Sequence, residues 1–480
     1  MRLYVVLRYV GLTLLLCAGF MFASLGVSFY YGDDGAIPLL FSGLISFFVG
    51  LFPLVFVPRQ TNISAKEGYV IVVLAWIAVC LFGSLPYMLY GGEFNLSGAW
   101  FEAVSGFTTT GATILNNVEG LPLSILFWRS TTHWIGGVGV VVFAMVVAPS
   151  IGGRARLTLS RTEVSSMARQ EFQYRSRKML RVMISVYLGI TLMTFAGLVL
   201  LGIPVFDSIN LSFATVATGG FAITNLSIAT YGNFGAEMWI VLMMFVASIH
   251  FGMLFAASTG HLRALLRSPV VRFFTLGLLV LIAAITWDLH GTHYDSWVQA
   301  FRYASFQAVA VVSTTGFGTA DASSWPPLAL FLIFMLSFMG GCSGSTGGGI
   351  KQDRILIMLK AFQTSIRRQQ HPHASIPVKV GRYNLEDSEV NATLLFILLF
   401  VFIVLLTTLI LAIMGFDIGL GFSSAASCVA NVGPSIGAMG FFDSYALYPP
   451  LARVVLSLAM LLGRLELFGL LLIFTKATWK

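Results

Sequence analysis

Charge is what this chain has least of. Only 10% of its 480 residues are Asp, Glu, Lys or Arg, while 57% are hydrophobic and the mean hydropathy is +0.87. Soluble domains carry about 25% charged residues, so a soluble enzyme of this length is excluded and no room remains for a large soluble domain. Cysteine is scarce as well. Cys17, Cys80, Cys342 and Cys428 lie far apart in apolar or Gly-rich segments, which argues against disulfides or metal sites and leaves them as packing residues. Also lacking is the convergent nucleophile, base or metal cluster that an intramembrane enzyme needs; the chain reads as no enzyme.

What is present is a recurrence. Four hydroxyl-and-glycine segments are each wedged between long apolar stretches: Thr108-Thr109-Thr110-Gly111-Ala112-Thr113, Ala217-Thr218-Gly219-Gly220-Phe221, Ser313-Thr314-Thr315-Gly316-Phe317-Gly318 and Ala430-Asn431-Val432-Gly433-Pro434. With Gly111, Gly220, Gly316 and Gly433 taken as equivalent, the intervals are 109, 96 and 117 residues. One such segment alone reads as a turn; four copies in the same place between apolar stretches read as an internal repeat. Irregular backbone at bilayer depth is tolerated only when buried in protein or lining a watery cavity. Four segments around one axis can offer carbonyls that replace the water shell of a cation.

Apolar runs at Val10–Tyr31 and Ile37–Val57 are each long enough to span, since about 20 residues cross a bilayer; the first is expected to be a retained signal-anchor helix. Each repeat then reads span, short re-entrant helix, loop, returning span. The spans and re-entrant helices are Tyr69–Leu89 with Ala99–Phe107, Val182–Leu201 with Asp207–Val216, Phe273–Trp287 with Trp297–Val312, and Ala392–Met414 with Ile418–Val429. The expected returns are Ile125–Val147, Met238–Ala257, Pro327–Met358 and Tyr445–Phe474. The fold class is therefore an all-α polytopic membrane protein with four helix–pore loop–helix repeats around one pore, preceded by two extra helices and crossing ten times. The division is 1–66 for the helix pair, 67–150 for repeat 1, 151–263 for a basic connection and repeat 2, 264–383 for repeat 3, and 384–480 for repeat 4. Re-entrant helices whose C-terminal ends face the cavity present partial negative charge to a cation.

Basic residues cluster on alternate connections, chiefly Ser150–Lys178 and Lys351–Arg382, while acidic ones such as Asp33, Asp34, Glu93, Glu119 and Asp321 mark the others. The positive-inside rule places both termini in the cytoplasm. The net charge of +8 is thus mostly orientation, with capacity for anionic membrane lipid or an acidic cytosolic partner; nucleic acid needs no invoking.

These residues resemble the Trk/Ktr/HKT superfamily of potassium transporters, and the two leading helices and length resemble its bacterial TrkH branch. The resemblance implies potassium uptake across the bacterial inner membrane, a selectivity filter in each subunit of a homodimer, and a cytosolic TrkA-like nucleotide-binding regulatory ring. It carries no bound organic cofactor in this chain; the regulatory nucleotide belongs on the partner. The filter residues expected are Thr109, Thr110, Gly111, Thr218, Gly219, Gly220, Thr314, Thr315, Gly316, Asn431, Val432 and Gly433. Potassium is expected at Thr110, Gly111, Thr218, Gly219, Thr315, Gly316, Val432 and Gly433. Adjacent Gly219 and Gly220 leave the register of the second loop open, with Phe221 and Phe317 favouring Gly220; the fourth loop lacks the threonines of the first and third.

The third returning helix contains Gly340-Gly341-Cys342-Ser343-Gly344-Ser345-Thr346-Gly347-Gly348-Gly349. Glycine costs roughly 1 kcal/mol against Ala in a helix, so continuous helix is not expected. Placed just cytoplasmic of the filter, the segment reads as a gate or as a passive packing break. A phosphate loop fits poorly, because Lys351 falls one residue late with no Ser or Thr after it. Arg464 sits inside the last span, where a charge demands a partner or water; it is expected either to form an electrostatic barrier in the pore or to pair with a carboxylate or loop carbonyls. Glu466 is badly placed on the helix to be its mate. His133 and His250 admit proton transfer or plain hydrogen bonding, and Asn225 is a candidate brace for the second loop. A sodium- or proton-coupled secondary transporter remains the alternative; it predicts discontinuous helices in inverted pairs, whereas only one return is expected to be broken.

Overall fold

The computed structural model describes residues 2–58, 65–147, 176–435 and 442–467. Its regular structure is helical apart from one two-stranded hairpin, Val378–Val380 with Tyr383–Leu385, between the third and fourth repeats. Two long helices, Leu3–Tyr31 and Ala36–Phe56, pack against each other. Their crossing is tight because Gly11 and Gly50 face one another, each Cα against the other's carbonyl.

The four re-entrant helices are Leu96–Phe107, Val205–Val216, Trp297–Val312 and Ile418–Ala430. Three of them start where the sequence supplies a cap or a proline, while Trp297–Val312 follows Ser296, whose side chain makes no cap bond. Asn95 accepts from the Gly98 amide, Asp417 accepts from the Leu420 amide, and Pro204 precedes the second. Such caps satisfy amides that have no partner within the helix. Their inner halves are small and fully buried, as in Ala103, Ala214, Ala308 and Ala425, all at 0% exposure, which lets four short helices converge.

By length and composition, six described helices can cross a membrane: Leu3–Tyr31, Ala36–Phe56, Lys66–Tyr90, Arg181–Leu200, Pro269–Leu289 and Asp387–Ile413. Phe234–Ala247 with Phe251–Ser258 forms a seventh, bent by 107°. The other expected crossings are the first return, Leu123–Val147, the interrupted third return, Pro327–Ser337 with Gln352–Gln370, and the fourth, described over Pro450–Arg464.

The second return is not the one continuous helix, Met238–Ala257, expected from the sequence. The second return is broken as well as the third, at Ser248-Ile249-His250. His250 caps the new helix by accepting from the Gly252 amide at 2.9 Å. The break itself contains no glycine and only the single Gly252 follows it, so composition did not reveal it. The end of the last span, from residue 468, and the basic residues Arg154, Arg156, Arg161, Arg169 and Arg175 lie outside the described residues.

Candidate functional site

Each re-entrant helix ends in the same backbone motif. Thr109, Thr218, Thr314 and Asn431 have φ of 52°, 54°, 59° and 57°, and two residues later Gly111, Gly220, Gly316 and Gly433 have φ of 83°, 82°, 76° and 103°. Between them, the amides of Thr110, Gly219, Thr315 and Val432 reach back to the carbonyls of Ser105, Ala214, Ala310 and Ser427 at 2.8–2.9 Å. This is the six-to-one hydrogen bond that closes a helix through a left-handed residue. A β-branched residue in that region is an outlier, and such positions store about 1–3 kcal/mol each where surrounding structure enforces them. Three threonines held this way mark a built site. The motif also fixes the register of the second loop: Gly220 is the equivalent of Gly111, Gly316 and Gly433.

The four loops meet in a closed ring. A Cβ at Gly111 would lie well inside 3.0 Å of the carbonyl oxygen of Gly219, and one at Gly220 would strike that of Thr315. One at Gly316 would strike the carbonyl of Val432, and one at Gly433 that of Thr110. Each glycine thus seats the carbonyl preceding the glycine of the next loop, in sequence order, until the fourth closes on the first. The four glycines line a single cavity of about 100 Å³. The Gly433 carbonyl also accepts from the Tyr445 hydroxyl at 2.9 Å, tying the fourth loop to the segment before the last helix.

The hydroxyls mostly stiffen the ring. Thr108 and Thr110 share a hydrogen bond at 2.7 Å, as do Ser313 and Thr315. Asn431 Nδ2 donates to Thr110 Oγ1 and to the Met460 carbonyl, both at 3.0 Å, so the asparagine that breaks the threonine pattern bridges the first and fourth loops. Thr218 Oγ1 donates to the Ala217 carbonyl at 2.6 Å.

Two residues missed in the sequence reading hold the outer side. Glu102 and Arg129 form a fully buried ion pair at 2.8 Å. Glu102 also accepts from the Ile114 amide and the Thr113 hydroxyl, while Arg129 donates to the Ala222 carbonyl at 3.1 Å. The signal was available, since Arg129 is a charge within an apolar span and needs a partner. His133 joins two loops: its Nε2 accepts from the Phe221 amide at 3.0 Å, so Nδ1 carries the proton and donates to the Gly106 carbonyl at 2.7 Å. Both ring nitrogens are occupied by the scaffold, which favours the hydrogen-bonded reading over proton transfer. Asn225 accepts from the Val118 amide at 2.7 Å and bonds Asn117, joining the outer ends of loops one and two.

Below the ring, residues 340–350 are mostly buried and folded into a loop between two helix ends. The amide of Gly340 donates to Ile350, and that of Cys342 to the Ser248 carbonyl in the second return's break. Ser343 binds Asp353 through its amide and its hydroxyl. Ser345 bonds the Cys342 carbonyl, and the Gly344 carbonyl accepts from the Phe251 amide. Thr346 Oγ1 donates to the Val216 carbonyl at 3.0 Å, at the end of the second re-entrant helix. The Gly348 amide donates to Thr314 Oγ1. Gly340 sits against the Gly348 carbonyl, Gly341 against Ser248, Gly347 beside Ser313, and Gly349 against Met339. Lys351 Nζ bonds the Gly347 carbonyl inside the same loop, which removes it from any phosphate role.

Arg464 reaches this loop. Its guanidinium donates to the Thr346 carbonyl at 2.7 Å and to the Gly136 carbonyl at 3.1 Å. Glu466 pairs instead with Arg354 on the helix that follows the loop, as expected from its poor placement relative to Arg464.

Four re-entrant helices that end in one shared backbone motif, set among helices long and apolar enough to cross a membrane, define a polytopic membrane protein of repeated pore-loop architecture. The TrkH family profile, described as a cation transport protein, matches residues 43–479, and the chain belongs to that family of transporters. It is 32% identical to the Trk system potassium uptake protein TrkH of Halomonas elongata and 30% identical to that of Escherichia coli, over 100% of each chain. Its fold matches the crystal structure of the potassium transporter TrkH from Vibrio parahaemolyticus with a TM-score of 0.90, at 30% identity and full coverage of both chains.

Proposed function

We propose that this chain takes up potassium across the bacterial inner membrane through the ring formed by Thr110, Gly111, Gly219, Gly220, Thr315, Gly316, Val432 and Gly433, with Thr218, expected in sequence to hold the ion, one position below it beside Thr109, Thr314 and Asn431. The observation that carries this reading is the closed order of the contacts, each glycine seating the next loop's carbonyl. Backbone carbonyls held in place by such contacts replace a cation's hydration without a charged ligand. That the ion is potassium draws on the similarity to proteins named for potassium uptake.

The loop Gly340–Gly349 is the gate in this reading, because it lies against the inner ends of the second, third and fourth re-entrant helices. Arg464 holds it closed and adds positive charge to the cation path. The division into a leading helix pair and four pore repeats is part of the same proposal, as are cytoplasmic termini and a homodimer. A cytosolic nucleotide-binding ring of the TrkA kind, docked on the basic connections, is its regulator; similarity to proteins of the Trk system supports a multi-component assembly. Charge reversal at Arg154, Arg156 and Arg161 is expected to impair co-purification of that regulator while topology stays intact.

Proteoliposomes decide the central claim. With purified protein, the reversal potential is expected to follow the potassium gradient and to ignore sodium and proton gradients. A reversal potential that moves with either of the others selects the coupled secondary transporter. Both helix breaks fall in the returning helix of their repeats, a recurrence in like repeats that weighs against the inverted pairs of that class.

A further inference from the structure

The position nine residues before each filter glycine is occupied by Glu102, Leu211, Gln307 and Ser424. Three of these are polar, and each ties the outer limb of its own loop. Glu102 accepts from Thr113 and Ile114. Gln307 Nε2 donates to the Ala320 carbonyl at 2.9 Å. Ser424 hydrogen-bonds Ser435 and Tyr448. Leu211, buried at 1% exposure, offers the second loop nothing of the kind.

The second loop is held from a neighbouring repeat. Arg129 and His133 lie one turn apart on the first return helix, Leu123–Val147. Arg129 donates to the Ala222 carbonyl, its guanidinium lies 4.1 Å from the centre of the Phe221 ring, and His133 accepts from the Phe221 amide. Glu102 keeps the guanidinium in place, with side-chain exposures of 2% and 0% for the pair. Arginine suits this task because its planar fork serves a carboxylate and a carbonyl together while stacking on an aromatic ring.

We infer that Arg129, seated on Glu102, is the positioning residue for the outer limb of the second loop, supplying from repeat 1 the brace that Leu211 cannot supply in repeat 2. This rests on the filter reading above. Since Gly219 and Gly220 meet the first and third loops in the ring, a slack second limb loosens carbonyls on both sides. Its effect is on ion discrimination rather than on throughput alone.

The test uses two variants in proteoliposomes, with Gly220→Ser alongside. Arg129→Lys keeps the charge that Glu102 requires but loses the fork to Ala222. Glu102→Gln combined with Arg129→Leu leaves no buried unpaired charge and gives repeat 1 the residue found in repeat 3. In protein that elutes as wild type does, the potassium-to-sodium permeability ratio is expected to fall by about threefold or more in both. A wild-type ratio in either, or a loss of flux at an unchanged ratio, overturns the positioning role. If Gly220→Ser also leaves the ratio unchanged, the filter reading fails on its own account; if Gly220→Ser lowers it and the Arg129 variants do not, only this inference fails.

Discussion

The amide of Gly348 donates to the hydroxyl of Thr314 at 2.8 Å. The loop beneath the ring and the floor of the third pore loop are therefore in direct hydrogen-bonded contact. The strained left-handed threonine gains a partner, and the Gly-rich loop gains a seat. Loop and ring are coupled parts.

The first prediction tests that seat. Gly348 has no room for a side chain: a Cβ would press into the Ala430 carbonyl and against Asn431. Gly348→Ala is expected to push the loop away from the ring and raise tracer uptake per inserted protein. Destabilising the closed loop by about 1.4 kcal/mol multiplies the open population about tenfold where that population is small. Uptake equal to or below wild type would count against a blocking loop at this position.

The second concerns the ring. Because the contacts close in order, Gly111→Ser, Gly220→Ser, Gly316→Ser and Gly433→Ser should each disturb two neighbouring loops. Every one is expected to lower the potassium-to-sodium permeability ratio; a tenfold fall corresponds to about 1.4 kcal/mol of lost discrimination. Reversal potentials under paired ion gradients give the ratio directly, and four unchanged values would remove these glycines from selectivity.

A third follows from His133. Removing the ring in His133→Ala leaves the buried Phe221 amide without its partner, at a cost of about 1–3 kcal/mol, while the Gly106 carbonyl keeps the Thr109 amide. Melting in detergent should shift downward and discrimination should weaken together. If the melt is unchanged, the bridge between loops one and two contributes nothing measurable.

The ring and the third break were legible because both are written in composition and interval. Gly316 and its three counterparts recur between apolar runs, and six glycines within Gly340–Gly349 cannot continue a helix. The register at Gly220, open in sequence, became clear only from the left-handed φ shared by Thr218 and its equivalents. What composition could not reveal is partnership. Arg129 advertises a need for a carboxylate but not that Glu102 supplies it, and the break capped by His250 carries no glycine at all. Asn431 looked like a departure from the threonine pattern; its two donor contacts show a cross-link that only spatial closure creates.

The last prediction concerns Arg464. Its guanidinium binds the Thr346 carbonyl within the loop and the Gly136 carbonyl on the first return helix, so it ties the loop to that helix. Arg464→Ala is expected to raise flux twice over, by releasing the loop and by removing a positive charge from the cation path. Shortening Gly340–Gly349 should also raise flux, and the rise should persist without a regulatory partner. Contacting residues are not energetically independent, with coupling of about 0.5–3 kcal/mol. The double variant should therefore exceed the loop deletion only by the electrostatic part. Tracer uptake in wild type, both single variants and the double separates the two contributions, and repeating the set at high salt tests their nature, since screening weakens charge effects and not steric ones. Multiplicative gains would mean that the Thr346 contact holds nothing closed, and a folded loop deletion with no gain would reduce the glycines to a packing break.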